Sequence, residues 1–300
     1  MKVYIIASAK YEELYIKKWV EYHLSLGFDK IIINDNNPKD YKYQLKNILK
    51  KYIDAGQVVI ERYFDTHEQT YDNPLHDLPN ILSFLYSKYK QEFDWAAKLD
   101  IDEYLEIPET NNDIKKFLSQ DKFNTAQCIH IPWLNYKVKE EYQYKFVNID
   151  YDKKFIKNEL TSIYKKHKTQ YKYIVKSNNN IQYISTHSID DNFIYQNQNT
   201  IVDCNGNNAM YLFNKDNQNI TIDNNEYKEY LNKLYSICYI KHYRYKSEEE
   251  MLFQIEKMQI YKESNSPKQQ KYEKLYNELI KKYPNFKDNY IMNIEKYLNL

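Results

Sequence analysis

Apolar positions along the first hundred residues follow two alternating rhythms. Val3 to Ala7 is a continuous apolar run, the form of a strand buried on both faces. From Tyr11 to Leu26 the residues Tyr11, Leu14, Tyr15, Trp19, Tyr22 and Leu26 fall three or four apart, which gives a helix one apolar face. Glu12 and Glu13 are expected in its first turn, where the helix dipole favours them, and Gly27 as its left-handed C-terminal cap. The alternation then repeats. A strand is predicted over 30–34 with a turn at Asp35-Asn36-Asn37-Pro38, a helix over 43–52 ending near Gly56, and a strand over 58–63. A helix follows over 76–90, with Leu78, Ile81, Leu82, Leu85 and Tyr86 on one face and Pro79 tolerated in its first turn. Trp95 to Leu99 is the fourth strand. This order predicts an α/β fold with a mostly parallel sheet flanked by helices. Ligands of such sheets bind beyond the carboxyl ends of the strands, where Ser8, Asp35 and Asp100–Glu103 are expected.

After Pro108 the pattern loosens. A short helix is predicted over 112–118 and a strand over 126–132, followed by Trp133. Residues 137–230 are polar, with short strands expected at 172–176, 181–185 and 209–213 and a mobile loop within 196–226. Order returns with the apolar run Ile237 to Ile240, ahead of His242. Ser247-Glu248-Glu249-Glu250 has the form of a capping box opening a helix, with Met251, Leu252, Ile255 and Met258 inward. A last amphipathic helix is predicted over 268–283. Its lysine-bearing face suits packing on the domain or peripheral contact with a membrane surface.

Composition narrows the classes. The net charge of +1 supplies no field to gather nucleic acid, and no basic stripe stands out. Three glycines, at 27, 56 and 206, exclude a glycine-rich phosphate loop. Cys128, Cys204 and Cys238 are odd in number and far apart, which fits a reducing compartment and neither a disulfide framework nor a zinc knuckle. The N-terminal apolar run is too short for a signal peptide and no window reaches the length of a membrane span, so a cytoplasmic protein is expected.

The chemistry concentrates in Phe93 to Ile107, FDWAAKLDIDEYLEI. Strand alternation would put Asp100 and Asp102 on one side and Ile101 on the other. Two carboxylates on one side repel each other unless a cation sits between them. Hard divalent cations take carboxylate oxygens and share them with substrate phosphates. The bare spacing is weak, since roughly one such match is expected by chance. A second one, Asp150-Tyr151-Asp152, reads as that accident. His23, at the polar edge of its helix, reads as a structural hydrogen-bonding residue. His67, His76, His130 and His167 have no supporting context.

Three stretches together resemble a known group. They are Glu12, Tyr15, Ile16, Trp19, Tyr22 and His23; then Asp35-Asn36-Asn37; then Asp94, Trp95, Leu99, Asp100, Asp102, Glu103 and Tyr104. A late element, His242, Tyr243, Ser247 and Glu250, joins them. The combination resembles the glycosyltransferase family 2/family 92-like group, which has a GT-A fold. The match covers the first 107 residues and about ten near 242.

The resemblance implies a metal-dependent, inverting transfer from a nucleotide-sugar, a UDP-sugar first, to a glycan or lipid-linked acceptor. Ala7, Ser8, Asp35, Asp100, Ile101 and Asp102 would bind the donor, and Asp100, Asp102 and His242 would hold Mn2+ or Mg2+. Residues 1–107 would form the nucleotide-sugar half of the domain, 108–246 the acceptor half, and 247–300 a helical extension. The chain lacks the glycine-containing acceptor loop that the group carries after its Pro-Trp pair, here Pro132-Trp133. Trp133 and His187 are candidates for the acceptor side, Trp133 equally for the core. Asp190 or Asp191 is a candidate general base, and equally an acidic loop. A metal-dependent phosphoesterase and a non-catalytic nucleotide-binding protein are the alternatives.

Overall fold

The computed structural model describes residues 1–66, 78–139, 141, 155–157, 171–187, 189–209, 225–245, 247–257 and 267–298. His67, His76, His167, the Asp150–Asp152 pair, Met258 and residues 210–224, which include part of the expected strand at 209–213 and of the expected loop within 196–226, lie outside them.

The first half has the expected alternation. β1 (Val3–Ala9) leads to α1 (Ile16–Ser25), then β2 (Lys30–Asp35), the short helices α2 (Leu45–Ile48) and α3 (Lys50–Asp54), and β3 (Val58–Glu61). α4 (Tyr63–Thr66), α5 (Leu78–Tyr89), β4 (Trp95–Lys98), β5 (Glu103–Glu106) and α6 (Ile114–Leu118) follow. The second half holds β6 (Cys128–Val138), β7 (Phe155–Lys157), β8 (Tyr171–Lys176), α7 (Asp191–Gln196), β9 (Ile201–Asp203), α8 (Asn225–Ile237) and β10 (Tyr239–Tyr245). Three helices end the described chain: α9 (Glu248–Lys257), α10 (Pro267–Lys282) and α11 (Phe286–Leu298).

The strand order is β3-β2-β1-β4-β8-β6-β10-β5, with β7 and β9 also paired to β6. β3, β2, β1 and β4 are parallel, so the ends of four strands share one edge. β8 runs antiparallel to both β4 and β6, and β10 antiparallel to β5. The continuous apolar runs are the buried strands: Val3, Ile5, Ile31, Ile32 and Ile33 are fully buried. One cluster joins Tyr4, Ile6 and Ile32 to Leu82, Leu85 and Tyr86 of α5.

By contact the chain divides into two units, Met1–Leu134 with Glu159–His242, and Asn135–Asn158 with Tyr243–Leu300. In the second, Leu252, Leu279 and Phe286 form a small core with Leu275, Tyr276 and Tyr283 around it. The capping box is present: the Ser247 amide and hydroxyl donate to Glu250 Oε2 (3.0 and 2.6 Å), and the Glu250 amide donates to Ser247 Oγ (3.3 Å). Among the described residues no helix is long and apolar enough to cross a membrane.

Four differences from the sequence reading have local causes. α1 starts at Ile16, not Tyr11, because Tyr11 has φ of +58° and Glu13 is fully buried, accepting a hydrogen bond from the Tyr41 hydroxyl (2.7 Å). β1 runs to Ala9, so Ala7 and Ser8 lie inside the strand. Residues 181–185 form no strand beyond one bridge from Ile184 to Ile189, since the Ser83 hydroxyl donates to the Ile184 carbonyl and accepts from its amide. Finally, β4 stops at Lys98, and Asp100–Asp102 is the turn into β5, so alternation along a strand does not orient the two carboxylates.

Candidate functional site

The turn after β4 is closed by its own side chains. The Glu103 amide donates to the Asp100 carbonyl (3.1 Å), and the Asp100 amide donates to Glu103 Oε2 (2.8 Å). α1 holds the start of β5 from the other side: Trp19 Nε1 donates to the Glu103 carbonyl (2.8 Å) and the Tyr22 hydroxyl to that of Leu105 (2.7 Å). The early Trp-Tyr-His helix thus fixes the carboxylate-bearing turn. His23 completes the clamp, its Nδ1 bonded to the Trp19 carbonyl (2.8 Å) and its Nε2 accepting the Leu105 amide (3.4 Å). Both partners suit a neutral imidazole, and burial lowers its pKa to about 3.

β10 brings His242 to this turn across 140 residues of chain, because the antiparallel register sets His242 opposite Glu103. His242 Nε2 is 3.5 Å from Asp102 Oδ2. One ligand atom from each of Asp102, Glu103 and His242 lies within 4.8 Å of the others. Burial favours neutral His242, but the carboxylates around it, Asp102 first and then Glu103 and Asp100, together outweigh burial and raise the pKa. Glu103 is fully buried, and its Oε1 has no hydrogen-bond partner. Its nearest cation is the Lys172 ammonium at 3.5 Å, too far for a good hydrogen bond, so a metal ion could still take this buried oxygen. Two carboxylates and an imidazole are a donor set that suits Mn2+ or a related divalent ion.

Asp100 stands differently. Its Oδ1 is paired with the Lys98 ammonium and its Oδ2 with that of Lys172 (2.6 Å). Both lysines are buried. Burial works to raise the Asp100 pKa, yet Lys172 and then Lys98 hold it well below the usual carboxylate range. The cation needed between close carboxylates is, for Asp100, supplied by the chain itself. Glu103 is pushed the other way, up by its own burial against the pull of Lys172.

The remaining candidates divide by position. Ala7 is buried within β1, and Ser8 Oγ accepts from Asn36 Nδ2 (3.0 Å). Asp35 ends β2, where its Oδ1 accepts the Asn37 amide (2.9 Å) and its Oδ2 lies 3.4 Å from Arg62 Nη1. Ile101 is buried in the turn. Trp133 is 5% exposed, its ring centroid 4.2 Å from that of His242 and 5.3 Å from that of His187, with Lys172 Nζ 5.4 Å from the ring. It packs the site's wall, and too little of the ring is open to stack on a sugar. His187 is exposed beside it. Asp190 is the N-cap of α7, its Oδ1 accepting the Asn192 and Phe193 amides (2.9 and 3.2 Å). Asp191 is exposed in the first turn.

The reading from sequence missed Lys98, Lys172 and Arg62. Lys98 did leave a signal, a single charge inside the apolar run two residues before Asp100. Lys172, in the run Tyr171-Lys172-Tyr173, and Arg62 look like ordinary surface residues.

No family model matches the chain, and no curated protein matches it. Solved structures with partial likeness include glycosyltransferases. One is involved in the glycosylation of the major capsid of PBCV-1, at 16% identity over 44% of this chain and 52% of that one, TM-score 0.25. The WbbM bifunctional enzyme in its apo form shows 10% identity over 59% of this chain and 31% of its own, TM-score 0.29. The chain therefore spans about half of the first and a third of the second. The galactosyltransferase LgtC, solved with donor and acceptor sugar analogues, shows 10% identity over 94% of this chain and 99% of its own, TM-score 0.34.

Proposed function

We propose that the chain is a GT-A-type glycosyltransferase that moves a sugar from a nucleotide-sugar, a UDP-sugar first, to a hydroxyl of a glycan or lipid-linked acceptor. One observation carries this reading: Asp102, Glu103 and His242 converge at the carboxyl edge of the parallel strands. Asp102 and His242, with Glu103, would hold Mn2+ or Mg2+, which as a Lewis acid offsets the charge that develops on the departing diphosphate. The chain's own residues do the rest. α1 and the Asp100–Glu103 turn fix the carboxylates before any ligand arrives. The donor's nucleoside lies along the ends of β1 and β2, near Ser8 and Asp35, with Asp100 and Ile101 beneath it. His187 faces the acceptor. In an inverting transfer a base must take the acceptor proton, and Asp191, whose carboxylate the α7 cap does not use, is the better candidate than Asp190. The lysine-bearing face of α10 would serve a membrane-borne acceptor.

A thermal-shift panel tests the reading. A UDP-sugar with Mn2+ at about 100 times its dissociation constant stabilises by about 2.7 kcal/mol. No shift with any nucleotide-sugar, together with a shift by phosphodiesters, would hand the site to a phosphoesterase. Asp102→Asn and His242→Ala should each lower turnover at least ~10-fold, and the double variant little further, because both remove the same cation.

A further inference from the structure

We propose that the Lys172 ammonium fills a second cation position, so that this carboxylate cluster accepts a single divalent ion. The inference rests on the reading that Asp102, Glu103 and His242 hold a cation. Lys172 is fully buried in β8. Its Nζ lies 2.6 Å from Asp100 Oδ2, 3.1 Å from the Thr186 carbonyl oxygen and 3.5 Å from Glu103 Oε1. Two carboxylates and a backbone carbonyl are the oxygen set that a hard cation takes. Glu103 belongs to both groups: it faces Lys172 and also joins Asp102 and His242. In paired-metal sites, ions about 3.5–4 Å apart clamp one substrate from two sides, and a carboxylate in the place of Glu103 would bridge them. Glu103 Oε1 has only the long 3.5 Å ion pair with Lys172 and no hydrogen bond, which leaves its coordination the loosest of the three.

Burying an ammonium is costly, and a staple made only for stability would do as well with apolar packing. An ammonium that stands in for a metal makes a different demand: its removal leaves oxygens that a metal can take. The measurement is Mn2+ stoichiometry on the full chain, by calorimetry and by electron paramagnetic resonance of free and bound ion. The wild type is expected to bind about one Mn2+, and Lys172→Ser and Lys172→Gln about two, with the exchange-coupled spectrum of a close pair. Both variants should melt below the wild type without Mn2+ and recover several degrees with it. Two ions on the wild type, or one on both variants, would overturn the proposal while leaving the cation reading intact. So would failure of both variants to fold with Mn2+ present, since the ion would then be unable to replace the ammonium. No Mn2+ on the wild type would remove the cation reading, and this inference with it.

Discussion

Asp100 carries its charge between two ammonium groups of the chain itself. Adjacent carboxylates do need a cation, and Lys98 and Lys172 provide it from within the fold. The two lysines are not equivalent. Without Lys98, Asp100 keeps Lys172 and has a side chain 34% exposed, so water screens what is left. Without Lys172, Glu103 loses the ammonium nearest its buried Oε1. Lys172→Met should therefore cost about 3–5 kcal/mol, as removal of one partner from a buried pair does, and Lys98→Met about 1–2. Urea unfolding without divalent ions measures both, and the reverse order would contradict this account. Asp102 comes under consideration from the carboxylate spacing at a strand end, and His242 only through the late element of the resemblance. Lys172 could not be named from the sequence, because its partners are fixed by strand pairing 72 residues away and nothing beside it announces burial.

At the scale of elements, helix starts show what local sequence can and cannot say. Ser247 and Glu250 form a reciprocal cap that is complete within four residues, so it could be read in advance. Ser247→Ala should cost about 1–2 kcal/mol, the upper part of the capping range, since both residues are buried. Asp190 has the same chemistry with a less telling neighbourhood, and the carboxylate considered as a base turns out to start α7. Asn caps as well as Asp. Asp190→Asn should thus unfold within about 0.5 kcal/mol of the wild type and retain turnover, whereas loss of a general base costs ~100-fold or more. A large loss of turnover in a stable Asp190→Asn protein would return the base to that residue. α1 is the converse case. Its apolar spacing extends back to Tyr11, but the buried Glu13–Tyr41 contact, 28 residues apart, claims the first turn.

Over the whole molecule, the parallel half was legible because each buried strand is a self-contained apolar run between turn signals. Beyond it, β8 and β10 fall on an expected strand and an expected apolar run, but β5 was not anticipated, and the order of these three strands is set by antiparallel partners that only the complete sheet brings together. Two histidines buried in this framework tie the stability of the whole to pH. His23 beside β5 and His130 in β6 are both lowered to about 3, in each case by burial. Unfolded histidine titrates near 6.5. Between about 6.5 and 3 the unfolded chain therefore binds protons that the folded chain excludes, and each histidine's contribution is complete above pH 6.5 and lost as the pH falls. The loss approaches about 1.4 kcal/mol per histidine for each unit of pH below that value. The total curve is not diagnostic, because burial also raises Glu103 and Asp35, whose titration acts with the opposite sign. The difference between proteins is. In His23→Gln, urea unfolding at pH 7.5 should show a loss from the broken Trp19 and Leu105 contacts, and that deficit should shrink by about 2 kcal/mol at pH 5. A deficit that stays constant across that range would mean that His23 takes up a proton inside the fold.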